Sequence, residues 1–246
     1  MNLNKTKEYL SIVNQQLNKI EEQESKNIED AASIISDTLE KDGLIYIFGT
    51  GHSQMFSLEM FYRAGGLVPV HPMLEASVAM YTGTKTSEYE RVPEIGKVIF
   101  KKSGMTSKDT LIIVSHSGRN PMPVDLVESA KAAGVSIITI ASGAFMAGVS
   151  SRHSSGKFVK DFADVIIDNH CDLGDAVIDI EGMSTKVAGT SSILSIAIIE
   201  SIVATTINIC VSRGFTPPVW MSGNLDNGDA HNEQHYLQYR NRIPYL

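Results

Sequence analysis

Residues 110–121 read TLIIVSHSGRNP. Five residues of strand-forming character, Thr110 to Val114, run without polar interruption. That pattern suits a strand covered on both faces, as in a parallel sheet, rather than one with a wet side. The strand then opens into Ser115-His116-Ser117-Gly118-Arg119-Asn120 and meets a proline-led helical stretch, read as Pro123–Ala133. Two hydroxyls one residue apart, a glycine that exposes backbone N–H groups and an arginine stand where a helix begins. The combination is suited to an anion, because a helix N-terminus carries partial positive charge and arginine offers a forked donor.

The same grammar recurs upstream. The run Leu44–Phe48 is followed by Gly49-Thr50-Gly51-His52-Ser53 and a helical stretch over Gln54–Tyr62. Gly49 and Gly51 allow a tight turn, and Ser53 is placed either to cap the helix or to donate to a phosphate. Further strands are expected at Leu67–Val70, Ser136–Ile140 and Val165–Asp168, with a weaker one at Val177–Ile180. Helices are expected at Pro93–Lys102 and from about Lys186 to Arg213. The alternation of strand and helix predicts an α/β fold, a doubly wound three-layer αβα sandwich. A third polar cluster, Ser184-Thr185 with Ala188-Gly189-Thr190-Ser191-Ser192, opens the last helix, and Thr190 and Ser191 join the candidate ligand contacts.

Residues 1–41 read as a helical pair, with the acidic run Glu21-Glu22-Gln23-Glu24 either a solvated turn between them or one exposed face. With 246 residues, 43% of them apolar, the chain can bury one large core, and residues 1–246 are expected to form a single domain. A net charge of −7 with no basic cluster argues against a nucleic-acid partner. Cys171 and Cys210 have neither metal nor redox spacing. The apolar stretch Ile193–Val211 is interrupted by Glu200 and several hydroxyls and reads as a buried helix, so no membrane partner and a soluble, cytoplasmic protein are expected.

Taken together, GTGHS after the first strand, SHSGRNP some sixty residues later and KAAGVSIITI beyond it resemble the sugar isomerase (SIS) domain family. The resemblance implies a five-stranded parallel sheet, a homodimer or homotetramer, and a phosphorylated sugar as ligand. It places Ser115 and Ser117 on the phosphate and Ser53 at the sugar end, with Gly51, His52, His116, Gly118, Arg119 and Asn120 around them. Asn120 stands where the family often has Ser or Thr. Single-domain length is similar to phosphoheptose isomerases, while Glu88–Pro121 resembles the N-acetylmuramic acid 6-phosphate etherases. Both groups carry a glutamate ten residues beyond the first-loop serine, where this chain has Arg63.

Isomerisation needs a group to move a proton between adjacent carbons. Glu59, one turn before Arg63, is the leading candidate, with His231 from the closing tail 214–246 as its partner. Glu75, Glu88, Glu90 and Glu200 are the other carboxylates to consider. The expected activity is aldose–ketose isomerisation of a sugar phosphate, the alternatives being lyase action on an amino-sugar-phosphate ether or a non-catalytic sensor. No cofactor is implied, since G-x-G-x-x-G is absent, and no metal is expected although His231 and His235 stand four apart.

Overall fold

The computed structural model describes residues 4–246. Its centre is a five-stranded, fully parallel sheet of β1 (Ile45–Gly49), β2 (Val70–Pro72), β3 (Thr110–Val114), β4 (Ser136–Ala141) and β5 (Val165–Asp168), in the order β2-β1-β3-β4-β5. Every residue of β1 and β3 is buried, as the uninterrupted apolar runs require. Side-chain alternation divides two cores. Ile45, Ile47, Ile112, Val114, Ile138 and Ile140 face α1 (Lys5–Glu40), α2 (Gln54–Met60) and α7 (Ser191–Ser212). Tyr46, Phe48, Leu111, Ile113 and Ile137 face α4 (Ile95–Ser103), α5 (Pro121–Ala132) and the tail residues Trp220, Tyr239 and Ile243. This is the expected αβα sandwich.

The N-terminal helical pair is corrected to one helix of 36 residues, α1. The acidic run does not break it, because Glu24 turns inward. Glu24 is buried, with His170 Nε2 at 3.2 Å and the Asn27 amide at 2.8 Å. No glycine or proline interrupts Lys5–Glu40, and at 1.5 Å per residue the helix is about 54 Å long, well beyond the strands it covers.

Two other boundaries move for tertiary reasons. Leu67 and Val68, expected to start the second strand, are engaged by the tail: Val68 N–H donates to the Pro218 carbonyl, and Leu67 bridges Val219 antiparallel. Parallel pairing therefore starts only at Val70. The weaker strand becomes β6 (Ala176–Ile178), which pairs with β7 (Val187–Gly189) in a separate hairpin and not with the main sheet. That hairpin delays α7 to Ser191. Short helices α3 (Thr84–Tyr89) and α6 (Gly143–Gly148), and the tail helix α8 (Gly228–Tyr239), complete the chain. By length and composition α7 is apolar enough to cross a membrane. Its Leu194, Ile198, Ile199, Ile202 and Val203 are instead in the core.

Candidate functional site

In the order β2-β1-β3, the chain leaves β1 toward one side and returns on its other side as β3. The loops after β1 and β3 therefore part at their carboxyl ends and leave a crevice, the usual ligand position in an open α/β sheet. Both serine-containing loops flank it.

The first loop spends several of its N–H groups on hydrogen bonds. Gly51 N–H donates to Val78 at 2.8 Å, Ser53 N–H to Thr50 and Gln54 N–H to Gly51, both at 3.1 Å. Gly49 is required, since a Cβ there would overlap the Ser53 carbonyl, and Gly51 adopts a φ of +58°. Ser53 is buried and occupies the N-cap of α2, but its hydroxyl does not cap the helix. The hydroxyl has no hydrogen-bond partner among the described residues, and His52 is exposed next to it.

The second loop is unsatisfied. Ser115 N–H closes onto Ile140 at 3.0 Å, and beyond it the backbone N–H groups of Ser117, Gly118 and Arg119 donate to no described residue. The hydroxyls of Ser115 and Ser117 are also without partners among the described residues, and Arg119 Nε is buried and unpaired. Gly118 has a φ of +61°, and a Cβ there would meet Val159 Cγ2 at 3.0 Å. Successive N–H groups around a left-handed residue form a concavity for anions. The first turn of α5 adds no donor of its own. Pro121 and Pro123 lack N–H groups, and Met122 N–H donates to the Glu90 carbonyl at 3.1 Å. An anion here would be held by the loop and the helix dipole.

His116 points back into the protein. The Asn169 amide donates to its Nδ1 at 2.8 Å, and Asn169 Oδ1 accepts from Cys171 N–H at 3.1 Å, which fixes the amide orientation. Neutral His116 accordingly carries its proton on Nε2. Burial pushes its pKa below the usual histidine value, against the opposing charge of Asp175. The third cluster is mostly capped: the Asp175 carboxylate takes Thr190 N–H at 2.9 Å, Ser191 N–H at 2.8 Å and the Ser191 hydroxyl at 2.8 Å. Only the Thr190 hydroxyl in this cluster is buried without a partner.

Two proton-transfer candidates lie elsewhere in the chain. Glu59 is paired with Arg63 at 2.6 Å, and Arg63 reaches Glu200 on α7 at 3.2 Å. His231 Nε2–H donates to the Val219 carbonyl at 3.1 Å from the wall of a cavity of about 700 Å³ that also includes Leu39, Asp42, Val211 and His235. Leu39 and Asp42 precede β1, so this cavity is at the amino ends of the strands, opposite the two loops. A second cavity of about 700 Å³ lies between α1 and α7 and contains no loop residue.

The carboxylate that does join the loops is Glu90. Its Oε2 accepts the Thr50 hydroxyl at 2.8 Å and its Oε1 accepts the Asn120 amide at 2.7 Å, while Asn120 Oδ1 accepts from Arg152 at 3.0 Å. Burial raises the Glu90 pKa, with Thr50, Arg91 and Arg152 opposing. Sequence reasoning held Glu90 only as one of several carboxylates to consider and missed Arg152, Asn169 and Asp175 altogether. None of the three has a local spacing signal, because each reaches the site through a long-range contact.

The fold and its strand-end crevice define an α/β ligand-binding domain with an anion-type loop. The SIS domain family matches residues 8–142, more than half of the chain. The chain belongs to the SIS domain family. A UPF0309 protein of Listeria monocytogenes serotype 4b is 38% identical, with 97% of each chain covered. Another UPF0309 protein, of Thermoanaerobacter pseudethanolicus, is 37% identical over 97% of this chain and 99% of its own. Among solved structures, a phosphoheptose isomerase from Francisella tularensis superposes with a TM-score of 0.57 at 13% identity, covering 84% of this chain and 98% of its own. The Neisseria gonorrhoeae phosphoheptose isomerase gives 0.52 at 15% identity, over 84% and 99%. At these identities the likeness is one of fold.

Proposed function

We propose that the protein binds a phosphorylated sugar in the crevice between β1 and β3 and isomerises it between aldose and ketose forms. The observation that carries this reading is the unsatisfied second loop: free N–H groups at Ser117, Gly118 and Arg119, free hydroxyls at Ser115 and Ser117, and an unpaired Arg119 Nε. These would take the phosphate. Ser53 and His52 would face the sugar, and Thr190 and Ser191 would line the far side. The names of the fold neighbours, phosphoheptose isomerases, are consistent with that ligand class.

Isomerisation requires a base to remove the proton from the carbon beside the carbonyl and to return it to the neighbouring carbon. Glu59 has the right chemistry, but Arg63 neutralises it. Glu90 adjoins both loops and its pKa is raised toward the range useful to a general base. His231 would contribute only from a neighbouring subunit, in a homodimer or homotetramer. Lyase action on an amino-sugar-phosphate ether is the second reading, favoured by the position of Glu90 rather than Glu59 at the crevice.

The test is a thermal-shift panel of sugar phosphates, followed by NMR of the best binder for aldose–ketose exchange or ether cleavage. A ligand at a hundred times its dissociation constant should add about 2.7 kcal/mol, and Ser115→Ala with Ser117→Ala should abolish that gain. Stabilisation by nucleotides or free phosphate with none by any sugar phosphate would reject the reading.

A further inference from the structure

Away from both loops, three side chains of metal-ligand type converge on the outer side of α5. Asp125 and Glu128 are three residues apart and share a helix face. His153 comes from the segment after α6, and one ligand atom of each of the three lies within 4.8 Å of the others. Asp125 is only 1% exposed. Its Oδ2 accepts Glu94 N–H at 2.7 Å, which orients the carboxylate and leaves Oδ1 toward His153 Nε2, 3.2 Å away. His153 is itself oriented from behind, with Ser155 Oγ 2.7 Å from its Nδ1. The Glu128 carboxylate has no hydrogen-bond partner among the described residues. No Lys or Arg among them forms an ion pair with Asp125 or Glu128, and the nearby Lys97 is paired with Glu94 at 2.8 Å.

A buried carboxylate beside a second one, hydrogen-bonded by an imidazole and felt by Lys97 only at a distance, lacks a directly bonded cation. A buried charge needs a compensating partner. We propose that Asp125, Glu128 and His153 bind one divalent transition-metal ion of the zinc class. One imidazole and two carboxylates suit Zn²⁺ or Mn²⁺ and give little to Ca²⁺, which seeks six or more oxygens. On binding, the histidine proton moves from Nε2 to Nδ1, which gives up the 3.2 Å hydrogen bond it accepts from the Ser155 backbone N–H. Nδ1–H then donates to Ser155 Oγ, the outer hydrogen bond that metal-bound histidines use. Three ligands leave open positions for water.

The site ties three segments together: α5, the residue-94 turn and the loop carrying His153. The preceding residue, Arg152, donates its backbone N–H to Arg119 at 2.9 Å and its guanidinium to Asn120 at 3.0 Å. The ion is therefore a fastening for the outer wall of the crevice and takes no part in binding the sugar. The sequence carries no hint of it, because His153 is 25 residues from Glu128.

The test is isothermal titration of metal-free full-length protein with Zn²⁺, Mn²⁺, Mg²⁺ and Ca²⁺, together with the visible spectrum after Co²⁺ loading. One Zn²⁺ per chain, a low-coordinate Co²⁺ spectrum and weaker binding on acidification are expected. Glu128→Gln, at a side chain that makes no internal bond, should lower the affinity at least about tenfold without unfolding the protein. His153→Gln should do the same. Unchanged stoichiometry and affinity in both variants would overturn the proposal, as would loss of the site in His231→Ala with His235→Ala. Failure to bind any of the four ions would equally reject it.

Discussion

Glu90 and Asn120 are joined at 2.7 Å across the mouth of the crevice, and the same carboxylate holds Thr50 at 2.8 Å. One side chain from outside both loops thus sets the distance between them. Removing it in Glu90→Ala should leave the Asn120 amide and the Thr50 hydroxyl without their acceptor. Hydrogen bonds to charged groups contribute about 1.5–3 kcal/mol, and a loss in that range is expected in urea unfolding. Glu90→Gln keeps an acceptor for Asn120 and should lose less.

Glu90 also has a pH signature. Its native pKa is raised above 4.5 by burial, so folding favours the protonated form. The stability this group contributes is present below pH 4.5 and is lost as pH rises through the native pKa. The unfolding midpoint of the wild type relative to Glu90→Gln should therefore fall as pH increases across that window. A difference that rises with pH would contradict it.

His116 behaves in the opposite direction. Its native pKa is lowered from 6.5 by burial, so the neutral ring is favoured in the fold. Its contribution is present above pH 6.5 and is lost as pH falls toward the native pKa. His116→Asn should flatten the acid side of the stability profile, measured as urea midpoints between pH 7.5 and 5.

Glu59 and Glu90 make distinct kinetic predictions. If Glu90 is the base, Glu90→Gln removes turnover of the bound sugar phosphate while Glu59→Gln retains it. The reverse result assigns the chemistry to Glu59. Arg63 is half exposed at 48%, so its ion pairs are solvent-screened and Arg63→Ala should change stability by less than about 1 kcal/mol.

Gly118→Ala tests the shape of the second loop. The left-handed backbone disfavours a side chain by about 1–2 kcal/mol. The added methyl also presses on Val159, 3.0 Å from the new Cβ. Lower stability and loss of the sugar-phosphate thermal shift are expected together.

The sheet and the crevice loops were legible in the sequence because their signals are local. Thr110–Val114 is a strand at the expected boundaries since five consecutive residues are buried on both faces. Gly118 marks by its residue type a turn that exposes backbone N–H groups. The two core faces also follow from the alternation of Ile45 and Ile47 with Tyr46 and Phe48. What was misjudged depends on distant partners. Glu24 looked solvated until His170 was brought against it, and the pair makes α1 one helix. His231 looked like part of the closing tail, yet the tail runs beneath the amino ends of the strands because Gly65, Gly66 and Val68 bond to it there.

The sequence by itself thus determined an α/β chain with serine-rich turns after two buried strands, since burial pattern and turn chemistry are written in neighbouring residues. Only the tertiary structure decided that the first turn bonds its Gly51 and Ser53 N–H groups, while those of Ser117, Gly118 and Arg119 in the second have no partner among the described residues. The same is true of the carboxylates: Glu59 and Glu90 have the same side chain. Arg63 neutralises Glu59, whereas Glu90 is drawn between Thr50 and Asn120 by contacts spanning 40 and 30 residues. A charge acquires its role from the groups packed around it, and those are set by the fold.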